Sequence, residues 1–299
     1  MRTRLLPLCL VPLLALASLA VAPTGTAGAV RSQRSPTYYV SLGDSYSVGY
    51  QPGLGATPGY PGYVATKTHL TLANFGCGGA TSTSILHAIG CPDVLPHTAG
   101  AMTYPTTTQA AAAQAFLTAH RGHIGLITVT IGGNDVTGCA TNPNPVSCVV
   151  AAANTVKANV TTLAAELRAA AGPRVPIIGS TYPNVILGTY VYPVNPAAAP
   201  TINLAKLSVV AFKSIINPAL SAAYASSMGK FVDVTAVAGG YVPLTRTVDS
   251  TAYGVIPVAV ANVCAYTWFC AQGNIHGTTS GYALIGKLIV AKYGARRTR

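Results

Sequence analysis

Acidic side chains are scarce. The chain has 299 residues, with 6 Asp and Glu against 18 Lys and Arg, and charged residues make up only 8% of it. So little charge excludes a coiled coil or a long charged helix. Disorder is excluded too, because 50% of the residues are hydrophobic and such a chain can bury a core. Tryptophan occurs once and phenylalanine 5 times, while tyrosine occurs 16 times. The polar surface is therefore expected to be Thr, Ser, Asn and Tyr. The net charge of +12 is not gathered into a basic stripe; only Arg296, Arg297 and Arg299 cluster, at the tail. No nucleic-acid partner is expected on that pattern. The excess of cations fits a peripheral contact with an anionic cell surface. Phosphate loops, dinucleotide fingerprints and calcium-loop patterns are missing. So is C-x-x-C, and no histidine stands at ligand spacing from a cysteine pair. His69, His87, His97, His120 and His123 form no metal pair, so neither a metal nor a cofactor is expected.

The N-terminus reads as an address. Arg2 and Arg4 precede an apolar stretch over residues 5–22, and Ala27-Gly28-Ala29 is a small-residue cleavage site. The expected organisation is a signal peptide over 1–29, cleaved near Ala29, and one secreted domain over 30–299. An uncleaved anchor is the other reading, because the stretch is just long enough to span a bilayer. No later segment reads as apolar enough to span, so the remainder is expected to be soluble and monomeric.

Setting aside Cys9, six cysteines remain, and an even number in an exported chain suggests disulfides. Many pairings are open in principle. Grouping along the sequence into three local pairs favours Cys77–Cys91, Cys139–Cys148 and Cys264–Cys270.

Strands are expected over residues 38–42, 72–75, 126–131, 175–179 and 231–234. Helices are expected over 109–120, 149–171, 204–227 (kinked by Pro218) and 279–293. Residues 182–200 and 241–257 read as loops. Strands alternating with helices point to a parallel sheet covered on both faces. Ligands in such folds bind beyond the carboxyl ends of the strands.

Chemistry-bearing residues stand at those ends. The first strand runs into Asp44-Ser45, the third into Gly132-Gly133-Asn134, and His276 precedes the last helix. Serine is a weak nucleophile that needs a base and donors for an oxyanion. Histidine supplies the base near neutral pH, and an asparagine amide can donate. Each residue alone has a plain reading, as a helix cap, a turn and a surface histidine.

Taken in order, these blocks resemble the SGNH hydrolases, the GDSL-type esterases and lipases. Gly43-Asp44-Ser45-Tyr46 resembles the nucleophile block and Asn74-Phe75-Gly76-Cys77-Gly78-Gly79-Ala80-Thr81 the glycine block. Gly132-Gly133-Asn134-Asp135 resembles the asparagine block, and Asn274-Ile275-His276 the histidine block. The leader and the cysteine pairs are similar to the exported actinobacterial branch. The resemblance implies a three-layer α/β/α, flavodoxin-like fold with a five-stranded parallel sheet. It implies Ser45 as nucleophile, His276 as base, and an oxyanion hole from the Ser45 and Gly79 N–H groups and the Asn134 side chain. The G-x-S-x-G signature of another hydrolase class is absent at Ser45.

The family often carries an acid three residues before the histidine, where this chain has Gly273. The expectation is therefore a Ser45–His276 dyad oriented by the Gly273 backbone carbonyl. A distant acid such as Asp249 folding over is the alternative. Asp44 and Asp135 are expected to hold their loops by hydrogen bonds. The implied substrate is a small-molecule or lipid ester, with the 182–200 and 241–257 loops lining an acyl pocket. Two alternatives stay open: a carbohydrate acetylesterase, and a catalytically weak binding protein on the same scaffold.

Overall fold

Strict alternation along the strands sorts the core into two layers. In β1 (Tyr38–Gly43), Tyr39 points to one face of the sheet, while Val40 and Leu42 point to the other. The computed structural model that shows this describes residues 37–97, 100–195 and 198–294. The expected leader, its cleavage site and the Arg296, Arg297, Arg299 cluster lie outside the described residues. After β1 come α1 (Ser45–Val48), α2 (Gly59–Thr68), β2 (Thr71–Asn74), α3 (Ser84–His87), α4 (Gln109–Ala119) and β3 (Ile124–Thr130). Then follow α5 (Gly133–Thr137), α6 (Pro145–Ala171), β4 (Ile177–Ser180), α7 (Ala199–Ala211), α8 (Asn217–Ala225) and β5 (Lys230–Val232). Beyond α9 (Val234–Val237), the chain forms the hairpin β6 (Thr247–Ser250) and β7 (Gly254–Pro257), then α10 (Val258–Tyr266), α11 (Phe269–Gln272) and α12 (Thr279–Gly294).

The five-stranded sheet has the order β2-β1-β3-β4-β5, and every pairing is parallel. One apolar layer joins Val40, Leu42, Ile127 and Val129 to α4, α6 and α8. The other joins Tyr39 and Leu126 to α2 and α12. This is the expected three-layer α/β/α arrangement. The second layer also buries hydroxyls, and they satisfy one another. Tyr39 Oη meets Thr128 Oγ1 at 2.7 Å, Thr130 Oγ1 donates to Tyr60 Oη at 2.9 Å, and Thr130 meets Ser180 at 2.6 Å. With acids scarce, cations turn to carbonyls. Arg121 donates to the Ala169 and Ala170 carbonyls at the end of α6, where the helix dipole favours positive charge.

Two readings of the sequence need correction. Residues 199–225 form a helix, α7 continuing through a π turn at Phe212–Ile216 into α8, that is long and apolar enough to cross a membrane by length and composition. The interruption is that π turn, which ends just before Pro218, a residue with no N–H to return to the preceding turn. The segments read as loops carry structure: a 3₁₀ turn at Val185–Tyr190, and the β6–β7 hairpin.

Candidate active site

The strand order places the site. β1 lies between β2 and β3, so loops leaving the carboxyl ends of three adjacent strands meet on one edge. That edge flanks β1, where chain connections diverge to both sides.

Gly43 makes the first turn possible. Its φ is 137°, and a Cβ there would lie 2.0 Å from the Thr130 carbonyl oxygen. The Gln109 side chain brackets this peptide, accepting from Gly43 N at 2.7 Å and donating to Gly43 O at 3.1 Å. Asp44 follows as the cap of α1, and its Oδ1 accepts from Tyr46 N at 2.9 Å. Ser45 therefore opens α1, buried.

His276 reaches Ser45 from the other end of the chain. Its Nε2 lies 2.9 Å from Ser45 Oγ. Its Nδ1 lies 2.7 Å from Asn274 Oδ1, which also accepts the His276 backbone N–H at 3.0 Å. The backbone donor identifies the Asn274 atom as the oxygen, so Nδ1 must carry the ring proton. Nε2 is then the lone-pair nitrogen facing the serine hydroxyl. Tyr46 steadies the turn by donating its Oη to the Ile275 carbonyl at 2.6 Å. Burial pulls the His276 pKa down to about 4, against an opposing pull from the Asp93 carboxylate. The imidazole is neutral at pH 7, as a base must be.

Asn134 sits in the first turn of α5, beyond β3, and donates Nδ2 to the Ala80 carbonyl at 2.8 Å. This bond sets the side chain against the carbonyl of the residue after Gly79, whose φ is 71°. The second Nδ2 proton is free of that contact. Asp135 joins the same two loops, accepting from Ser82 N at 2.9 Å and Ser82 Oγ at 2.6 Å. Tyr182, beyond β4, donates its Oη to Asp44 Oδ2 at 2.5 Å and accepts from Gly133 N at 3.2 Å. Burial lifts the Asp44 pKa to about 7, and these hydrogen bonds hold it from going higher.

Ser45 and Asn134 open into an apolar cleft with about 990 Å³ of empty space, part of it open to solvent. It is lined by Cys139, Pro145, Val146 and Val149 around the start of α6, by Leu204, Leu207, Val210 and Phe212 on the helix that begins at Ala199, and by Pro183, Val185 and Ile186 beyond β4.

The profile of the GDSL-like lipase/acylhydrolase family matches residues 41–284. The chain belongs to this family. Among solved structures, the chain is similar to a protein assigned to the lipolytic G-D-S-L family from Desulfitobacterium hafniense. That similarity runs at 11% identity over 85% of this chain and 98% of the other, with a TM-score of 0.44. It is also similar to a protein from Lactobacillus plantarum, at 14% identity over 87% of this chain and 98% of that one, with a TM-score of 0.44. No curated protein matches the chain.

Membership of the GDSL-like family implies a serine-based ester hydrolase, and two expectations about its site are corrected by the geometry. Nδ1 of His276 is held by the Asn274 side chain, not by the Gly273 carbonyl. Gly273 instead makes an αL turn against the Tyr192 ring, where a Cβ would lie 2.4 Å from Cε1. Asp249 is exposed on the β6–β7 hairpin, and the nitrogen it was to hold is already engaged by Asn274. The cleft takes only the start of the 182–200 segment and none of the 241–257 segment. Its main walls are α7 and the start of α6. The signal for them was present in the sequence as a helix more apolar than one buried face requires. Tyr182 was also missed, because a lone tyrosine after a strand announces no partner.

Proposed function

We propose that this chain hydrolyses carboxylic esters of apolar acids through an acyl-enzyme on Ser45. The observation that carries this reading is the Ser45–His276–Asn274 chain of contacts opening into an apolar cleft. Nε2 takes the Ser45 proton as Oγ attacks the ester carbonyl. The oxyanion draws on the Ser45 and Gly79 N–H groups and the second Asn134 Nδ2 proton. The imidazolium returns the proton to the leaving alcohol, and the acyl group stays on Oγ. Water then repeats the cycle, giving its proton to Nε2 and releasing the acid. Asn274 fixes the tautomer without adding charge, so the chemistry runs on a dyad with a neutral orienting group. The apolar cleft walls support a fatty acyl group over acetyl. The three disulfides support work in an oxidising compartment outside the cytoplasm.

The test is hydrolysis of a chromogenic ester series from acetyl to long acyl chains, with wild type beside Ser45→Ala. Turnover should favour the longer chains and fall by about 10⁴-fold or more in the variant. An optimum at acetyl would turn the reading to an acetylesterase. Turnover that survives in Ser45→Ala, or none on any chain, would overturn it.

A further inference from the structure

The cleft has an apolar rim that stands in solvent. Among its lining residues, Val146 of α6 is 52% exposed, while Leu207 and Val210 of α7 are 42% and 56% exposed. Val150, one turn further along α6, is 41% exposed. Val146, Leu207 and Val210 are not scattered, because two helices bring all three to the lining of a single cleft. The helix behind them is unusual for a water-soluble surface. The most apolar window within Ala199–Ala225 is apolar enough to cross a membrane, yet only 22% of it is buried.

Charge around the rim has one sign. Residues 136–165 and 167–232 contain no Asp or Glu, so α7 carries no acid and α6 carries only Glu166, about five turns beyond Val146. Lys206 and Lys213 are exposed on the helix that carries Leu207 and Val210. An apolar edge on a helix that carries exposed cations and no acid is complementary to a lipid surface bearing anionic headgroups.

We propose that this rim docks the enzyme onto an anionic lipid–water interface, with the cleft mouth facing the lipid. An acyl chain then passes from the lipid into the cleft without crossing water, and the ester arrives at Ser45. The consequence for catalysis rests on the ester-hydrolase reading. Docking itself does not, since it needs no turnover.

The experiment uses full-length Ser45→Ala protein and sedimentation with vesicles of phosphatidylcholine, alone or with one third phosphatidylglycerol. The protein should partition onto the anionic vesicles at least about fivefold more strongly than onto neutral ones, and lose part of that gain in high salt. Leu207→Glu with Val210→Glu should weaken partition about tenfold or more, with the melting temperature unchanged. If that pair fails to fold, Lys206→Glu with Lys213→Glu tests the same surface and should abolish the preference for anionic vesicles. In the wild type, turnover of a long-chain ester should rise when the ester is presented in anionic vesicles. No partition, or partition indifferent to both pairs, would overturn the proposal. So would a dimer in solution that the glutamate pair dissociates, because the rim would then be covered by a second copy. A protein that cleaves dispersed esters yet ignores vesicles would sink docking alone. One that binds vesicles and cleaves no ester would sink the ester reading alone.

Discussion

At the scale of the residue, the unusual partner is Asn274. It holds His276 Nδ1 by an oxygen that carries no formal charge. Burial is therefore only weakly opposed, and the imidazole pKa falls to about 4, with the Asp93 carboxylate the one charge pulling it up. The acid limb of kcat/KM, which reports the free enzyme's base, should lie near pH 4, well below the usual histidine value. Asp93→Asn should move that limb lower still. Asn274→Asp should move it higher, because a carboxylate at Nδ1 stabilises the imidazolium. Asn274→Ala should cost about tenfold to a hundredfold in kcat, part of what a positioned base contributes. A pH–rate profile of the three variants checks these directions, and shifts the same way in Asp93→Asn and Asn274→Asp would defeat the account. The same depressed pKa has a cost in stability. Below pH 6.5 the unfolded chain binds a proton that the folded histidine refuses until about pH 4, so this residue's contribution declines as pH falls through that window. His276→Gln should accordingly gain melting temperature over wild type as pH drops from 6.5 to 4, measured by paired thermal scans. Ser45, Asn134 and His276 stood out in the sequence because the four blocks around them follow the order of the family they resemble, while each alone has a plain reading. Asn274 did not, because an amide two residues from its histidine also reads as a simple turn.

At the scale of the element, the site is a set of loops tied together by buried polar side chains. Tyr182 is the cross-tie between α1 and α5, holding Asp44 on one side and Gly133 N on the other. Removing its hydroxyl leaves a half-buried N–H and a buried carboxyl short of a partner, a loss of about 1–3 kcal/mol. Because both ends carry site groups, Tyr182→Phe should also lower kcat about tenfold with little change in KM, as a slackened transition-state contact does. Tyr39→Phe is the control. Its Oη meets Thr128 Oγ1 at 2.7 Å, a buried bond at the end of β1 far from Ser45. Equal losses of kcat in the two variants, measured well below melting, would reduce Tyr182 to a stability role. The strands were readable because apolar β-branched runs have few other fates, and β1 and β3 begin within two residues of expectation. Pro176 stands just before β4, which is internal to the sheet, and its carbonyl accepts from Ile127 N at 2.9 Å. The helix α2 was not readable. Its opening Gly-Tyr-Pro-Gly has poor propensity, and burying Tyr60 and Val64 against the sheet, beside α12, overrides that preference.

At the scale of the whole molecule, the three disulfides and the site share one design. Cys77–Cys91 closes the loop that carries Gly79, with a sequence separation of 14. Cys139–Cys148, with a separation of 9, ties the turn after α5, and thus Asn134's element, to the start of α6. Cys264–Cys270, with a separation of 6, joins α10 to α11 just ahead of Asn274 and His276. Ser45 has no such staple and relies on Gly43, Gln109 and Asp44, all buried in the sheet's own edge. Loops this short gain only about 2–3 kcal/mol each from closure, so the bridges add less to the global fold than the two apolar layers do. Their larger effect should be local, on the placement of the oxyanion donors and the base. Graded reduction should therefore remove ester turnover before it removes the helical signal in far-UV circular dichroism. The paired change Cys139→Ser with Cys148→Ser should go further. Cys139, Pro145 and Val146 wall the cleft, so freeing them should depress turnover of long-chain esters more than of acetyl esters. Turnover and circular dichroism falling together at every reductant concentration would show that the bridges hold the fold rather than the site. An equal loss on all chain lengths in the double variant would remove the cleft wall from the explanation and leave only Asn134's position.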